Sequence, residues 1–172
     1  TITTTTSLTN SATPTIEGIA EPGSTLTLFV DGETTGVTTI ADGTTGAYTI
    51  APTAGLSDGN HTVTVTATDA AGNISTASSE LNLTVDTTAP AQPTIITRTI
   101  LTNDATPKIE GIAEAGSIVE LFNGNVSLGT TTADPSGNFS ITTTLSDDTY
   151  SLTVKATDAA GNISESDALT MT

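Results

Sequence analysis

The segment Thr66–Ser75, TATDAAGNIS, returns with nine of its ten residues unchanged at Ala156–Ser164. Self-similarity over such a stretch means two copies of one unit, and each copy must close its own core. TPTIEGIAEPGS at Thr13–Ser24 matches TPKIEGIAEAGS at Thr106–Ser117 with an offset of 93. The offset falls to 91 at Gly46 against Gly137 and to 89 at Ala67 against Ala156, so the second copy is four residues shorter. Those losses fall in expected turns, where a change of length costs little. VDTTAPAQP, Val85–Pro93, occurs once and marks a seam. The expected organisation is a first module over residues 1–86, a linker over 87–93 and a second module over 94–172, with the chain reading as an excerpt cut at neighbouring seams.

Threonine supplies 42 of 172 residues, which favours pleated strands over helix interiors. Essentially no helix is expected. The absence of cysteine removes disulfides, thiol catalysis and thiolate metal sites. A net charge of −16, with only Arg98, Lys108 and Lys155 as cations, repels phosphates and argues against nucleic acid or an anionic membrane as partner. No stretch approaches the ~18 apolar residues of a membrane span, so no direct membrane insertion is expected.

Strand patterns are plain. HTVTVTA from His61 and YSLTVKA from Tyr150 alternate polar and apolar residues, as strands with one buried face do. LTLFVDG from Leu26, AYTIA from Ala47, PTIEGIA from Pro14 and ELNLTV from Glu80 read the same way, separated by the turn clusters AEPGS, ADGTTG and LSDGN. About seven short strands per module predict an all-β fold, two tandem immunoglobulin-like antiparallel β-sandwiches in end-to-end arrangement. LSDGNH, Leu56–His61, and LSDDTY, Leu145–Tyr150, stand where a tyrosine corner would precede the sixth strand. Phe29, Tyr48, Phe122, Phe139 and Tyr150 are all expected in core phase.

The order PxIxGxAEpGS, G-x-Y/F, LSDG, a strand ending ATDAAGNIS, then VDTTAP resembles the bacterial Ig-like repeats of very large surface adhesins. The resemblance covers nearly all of both copies and implies an extracellular stalk at the bacterial cell surface, of the biofilm-associated, type I secreted kind. It also implies neighbouring modules of the same chain as partners and Ca²⁺ between some of them.

Strand order points to the same place for an ion. In an immunoglobulin-type sandwich the entering chain and three loops converge at one pole. For the second module these bring Asp86 and Thr87 of the linker, Glu114, Asp134, Asp158 and Asn162. Calcium takes six to eight oxygens at ~2.3–2.6 Å from carboxylates, amides, carbonyls and water, which such a set could supply. The first module has Glu21, Asp42, Asp69 and Asn73 as equivalents but no incoming linker aspartate. The same residues also suit a structural role: Asp158 can hydrogen-bond its own turn, and Asn162 can take a left-handed position beside Gly161.

Catalysis is not expected, because the single histidine, His61, is replaced by Tyr150 in the other copy. A ligand-binding alternative rests on threonine arrays that could face a glycan or ice, although TITTTT at the start aligns with TIITRT and loses its regularity. Open sheet edges, Thr1–Thr6 among them, leave homophilic contacts as a third option. The sequons at Asn60, Asn73, Asn82, Asn125, Asn138 and Asn162 read as incidental in so threonine-rich a chain.

Overall fold

A computed structural model describes residues 1–98 and 101–172. Two compact units, Thr1–Thr87 and Thr88–Thr172, divide the chain, so the seam falls after Thr87 and residues 88–93 go with the second module. Among the described residues every helix or strand element is a strand.

Module 1 contains β1 (Leu8–Thr9), β2 (Ile16–Ile19), β3 (Thr25–Val30), β4 (Glu33–Ile40), β5 (Ala47–Ile50), β6 (Gly59–Thr68) and β7 (Leu81–Val85). One sheet has the order β1-β7-β6-β3-β4 and the other pairs β2 with β5. Ile16, Tyr48 and Ile50 from the smaller sheet meet Leu26, Leu28, Val63, Val65, Leu83 and Val85 from the larger in one core. These are the alternating apolar positions of each strand, so period-two patterning translates directly into the sandwich.

The first residues use both sheets. Ile2 bridges Gly18 and the Thr3 N–H donates to Glu17 O at 2.9 Å, which lays the threonine run along β2. The chain then crosses over, and β1 pairs with β7 in parallel, Leu8↔Thr84 and Thr9↔Val85. This pair departs from a wholly antiparallel sandwich, because a first strand that changes sheets runs in the same direction as the last.

Module 2 repeats the plan with β8 (Thr94–Ile95), β9 (Lys108–Ile112), β10 (Ile118–Asn123), β11 (Val126–Thr132), β12 (Asn138–Thr142), β13 (Tyr150–Thr157), β14 (Ile163–Glu165) and β15 (Leu169–Met171). Its sheets are β11-β10-β13-β14, with β15 also on β13, and β12-β9-β8. The core is Ile109, Val119, Leu121, Phe139, Ile141, Leu152, Val154 and Met171, with Ala156 fully covered. Of the TIITRT stretch, Thr99 lies outside the described residues.

Two sequence details acquire a reason. A Cβ on Gly18 or Gly111 would collide with the ring of Tyr48 or Phe139 and with the carbonyl oxygen of Thr1 or Thr94. The EGIAE glycine therefore lets aromatic ring and first strand share one site. Between β3 and β4, Asp31 (φ 53°) and Gly32 (φ 81°) form a two-residue hairpin turn with both central residues left-handed, the type I′ pattern.

The aromatic expectation holds only in part. Tyr48 and Phe139 are buried, whereas Phe29 and Phe122 are partly exposed on the opposite face from their neighbours Leu28 and Leu121. Two successive apolar residues in a strand cannot both point inward, and the leucines take the core. Lys155 Nζ lies 4.9 Å from the Phe122 ring centre, within cation–π range. Tyr150 is half-buried, and its hydroxyl donates to Ser146 O at 3.1 Å, which makes the expected corner. His61 occupies the same corner in module 1, with Nε2 2.9 Å from Ser57 O and Nδ1 2.8 Å from Asp31 Oδ2.

Candidate functional site

In module 1 the chain enters where the Thr1 ammonium donates to Ile19 O at 2.7 Å. The Ala20 N–H donates to Gly46 O at 2.9 Å and the Gly23 N–H to Ala41 O at 3.2 Å, which laces two loops together there. The pairing Thr25↔Thr68 sets the loop after β6 at the same end. A cavity of about 390 Å³ opens at this pole, and Thr1, Glu21, Asp69 and Asn73 are among its lining residues. The expected meeting of entering chain and loops therefore exists in this module.

The same construction recurs in module 2. The Ala113 N–H donates to Gly137 O at 2.8 Å, the Gly116 N–H donates to Ala133 O at 3.1 Å, and Ile118 pairs with Thr157. Glu114, Asp134, Asp158 and Asn162 consequently share one pole. Their side chains do not converge there, because each aspartate is turned into its own loop.

Asp158 Oδ1 accepts from the N–H groups of Gly161 (2.7 Å) and Asn162 (2.9 Å), and Oδ2 accepts from the Asn162 side-chain amide (2.8 Å). Desolvation alone would raise its pKa, but the Asn162 amide and the loop N–H groups outweigh it and hold the carboxyl below its ordinary value. Asp134 Oδ1 accepts from Ser136 N–H at 2.8 Å and Asn138 N–H at 2.9 Å, and the Asn138 amide is the main reason its pKa is lowered. Asp69 is lowered in the same way by Asn73, and Asp42 by Thr45. Asp69, Asp134 and Asp158 thus each close their own turn, with the asparagine four residues on as its clasp.

Glu114 contributes mainly its backbone. Its carbonyl oxygen accepts from the N–H of Ser117 at 3.1 Å and from the Ser117 hydroxyl at 2.7 Å, and that serine is 2% exposed. Asp86 and Thr87 belong to module 1. The Asp86 N–H donates to Thr9 O at 2.9 Å, and Asp58 Oδ1 accepts from both the N–H (2.9 Å) and the hydroxyl (2.8 Å) of Thr87. Asp58, expected to be only a turn former, anchors the end of the module. Among the described residues no three histidine, cysteine, aspartate or glutamate side chains lie close enough to hold one metal ion. Carboxylate and amide oxygens are chemically suited to calcium, and at Asp158 and Asp134 the Oδ2 atom accepts the side-chain amide of the asparagine four residues on.

Sequence reasoning missed the serines after the repeated loop. The Val65 N–H donates to Ser78 Oγ at 3.1 Å and the Val154 N–H to Ser166 Oγ at 3.0 Å, so a hydroxyl replaces a ladder partner where the chain leaves the sheet. The signal available was a serine beyond GNIS in both copies. Also missed was the role of the single-copy segment. The Ser164 hydroxyl donates to Ala91 O at 3.2 Å, the Gln92 amide donates to Glu165 O at 3.1 Å, and Pro93 is fully buried.

Known proteins agree with this architecture. The profile of the bacterial Ig-like domain matches residues 2–87 and again 95–172. Chitinase A1 of Niallia circulans is 35% identical over 131 residues, covering 67% of this chain and 18% of its own length. Exoglucanase A of Cellulomonas fimi is 36% identical over 118 residues, covering 60% of this chain and 13% of its own length. The chain therefore spans less than a fifth of the curated relatives it matches. The fibronectin(III)-like modules of Clostridium thermocellum CbhA superpose with a TM-score of 0.65 at 13% identity, over 99% of this chain and 92% of theirs, which speaks to the fold alone. With both halves matched over nearly their full lengths, the chain belongs to the bacterial Ig-like domain family as two consecutive modules.

Proposed function

We propose that this pair of modules is an extender segment of a larger extracellular protein, a stalk at the bacterial cell surface of the adhesin kind. The observation that carries this reading is the polarity of each sandwich. In module 1 the chain enters beside Ile19, at the Thr68 end of β6, and leaves through Val85, which pairs with Gly59 at the other end. At ~3.3 Å per residue the ten residues of β6 separate entry from exit by roughly 30 Å. Module 2 has the same polarity, with entry at Thr94↔Ile112 and Met171 paired with Tyr150. Every such module adds length to a chain while spending its side chains on its own core.

Calcium at the seam is the proposed source of rigidity, with Asp86, Thr87, Glu114, Asp134, Asp158 and Asn162 as the donor set. Asp158 is already ionised and desolvated in part, so an ion would compete with the Asn162 amide for its Oδ2. Coordination would offset the entropy of fixing one module against the next. Small-angle scattering in calcium and in EDTA tests this. A narrower distribution of maximum dimensions in calcium, abolished by Asp158→Ala, is expected; equal stiffness in both buffers ends the calcium reading.

A second reading has its own observation. On the outer face of module 1, Phe29 borders a shallow hollow with Thr62, Thr64, Thr66 and Glu80. An aromatic edge beside a hydroxyl row can contact a sugar chain, and both curated relatives carry names of polysaccharide-degrading enzymes. Titration with chitin and cellulose oligosaccharides separates the readings. Binding lost in Phe29→Ala would make module 1 a glycan contact; no binding leaves it a spacer.

A further inference from the structure

Module 1 carries polar side chains that its fold does not require. The alternation that buries Val63, Leu83 and Val85 turns Asn60, Thr62, Asn82 and Thr84 to the outer face of the larger sheet. Register sets them side by side, Asn60 opposite Thr84 and Thr62 opposite Asn82. They border a hollow of about 710 Å³ at the end where β6 begins, together with Ser7, Leu8 and Asp31.

Module 2 builds the same end without a carboxylate or an amide pair. Ser151 stands opposite Thr170 there, and the places of Asn60, Asn82 and Thr84 are taken by Thr149, Thr170 and Thr172. The Thr149 and Thr172 hydroxyls are 3.0 Å apart, and the Ser151 N–H donates to Asn123 Oδ1 at 3.2 Å. In module 1 the equivalent N–H, of Thr62, donates to Asp31 Oδ1 at 2.8 Å. Threonines and one neutral amide therefore satisfy the fold.

The groups in module 1 are also held in place. Asp31 is fixed by Thr62 and by His61 Nδ1, 2.8 Å from its Oδ2, yet 52% of its side chain stays exposed. Asn60 Oδ1 accepts from the Thr84 hydroxyl at 2.7 Å, which leaves the Asn60 NH₂ group to donate elsewhere. The Asn82 amide and the Ser7 hydroxyl take no hydrogen bond among the described residues. Neither lysine nor arginine lines the hollow, and Asp31 is its one carboxylate, so an anion is repelled and a metal ion finds too few charged oxygens.

We infer that this hollow is the polar subsite of the glycan face, binding a neutral hexosyl unit through its free 2,3-diol. The carboxylate accepts from adjacent hydroxyls while the amides donate to their oxygens, so both partners of a diol are satisfied. The ligand class is then an unsubstituted glucan of the cellulose type, because an acetamido group at carbon 2 removes the diol. Thr62 borders this hollow and that of Phe29 alike, so one chain reaches both. The inference rests on the glycan reading, in which Phe29 supplies the aromatic edge. Groups already oriented before binding lower its entropy cost.

The test is titration of the full chain with cellohexaose and with chitohexaose, followed by amide chemical shifts. Cellohexaose should move the side-chain amide signals of Asn60 and Asn82 together with signals around Phe29, and chitohexaose should bind at least about fivefold more weakly, the scale of one net hydrogen bond. Asn60→Thr with Asn82→Thr installs the residues that module 2 carries at these places and should weaken cellohexaose by at least about fivefold. Asn82→Ala, which breaks no bond within the module, should weaken it in the same direction. Binding lost in Phe29→Ala but unchanged in both asparagine variants overturns the subsite and leaves the glycan reading standing. Equal affinity for the two sugars overturns recognition of the diol. No binding of either sugar ends the glycan reading and this inference together.

Discussion

Module 1 and module 2 solve the same corner with different chemistry. Tyr150 closes module 2 with a hydroxyl donated to Ser146 O, and Ser146 N–H donates back to that hydroxyl at 3.1 Å. His61 closes module 1 with one ring nitrogen on Ser57 O and the other on Asp31. Both partners of the histidine are acceptors, so the full clamp requires both ring nitrogens protonated. A position that is structural in both copies therefore holds, in module 1, a clamp that depends on protonation.

The largest test of how alike the copies are is the shared glycine. Gly18→Val and Gly111→Val each force an aromatic ring and the first strand apart, and each should cost its module about 1–3 kcal/mol or more. Calorimetry should show one transition falling while the other stays; a value that moves both would mean that the modules do not unfold independently.

The aromatic partners sharpen the comparison at smaller scale. The Tyr48 hydroxyl donates to Thr1 O at 3.1 Å, and burial pushes its pKa up. Tyr48→Phe should lose about 1 kcal/mol from module 1 by removing one of the two donors to that carbonyl, which keeps the Ile19 N–H at 3.0 Å. Phe139→Tyr should supply the missing bond to Thr94 O, and denaturant titration of module 2 reads the gain.

The corner should separate the modules by pH. Ser57 O first, then Asp31, raise the His61 pKa above 6.5. A raised folded pKa means that the contribution is complete below the unfolded value and is lost as pH rises through the folded one. Module 1 should weaken on passing from mildly acidic to alkaline pH, and His61→Tyr should remove that slope. Asp31 has the opposite sign: His61 chiefly, with Thr62, lowers its pKa, so its share is lost as pH falls through the acid range. Melting curves across pH check both signs.

The smallest effect expected is local. Asp69→Ala and Asp158→Ala should speed exchange at Asn73 and at Gly161 and Asn162, with little change in either core. Protection of those amides in the variants would mean that other contacts hold the loops.

Much of the fold was legible because burial on one face of a strand leaves a period of two. The runs from His61 and Tyr150 became β6 and β13 in the expected phase. β4 and β11 were passed over for the converse reason. Neither strand holds a fully buried residue, and the half-buried face of ETTGVTTI is Thr35, Val37 and Thr39, so the sequence carries no apolar alternation there. At the candidate site, the shared pole of Glu114, Asp134, Asp158 and Asn162 followed from strand order. The direction of each carboxylate did not, because closing on a neighbouring N–H and reaching toward an ion use the same residue at the same spacing.

By itself the sequence determined that there are two copies, that each is a β-sandwich, and where the loops and cores lie, since repetition and alternation are properties of order along the chain. Only the tertiary structure decided which of two adjacent apolar residues faces the core and that the DAAGN loop closes on itself. It also decided that Ala91–Pro93 lies against β14. Those outcomes depend on which backbone groups remain open when distant strands pair, and no local pattern records that competition.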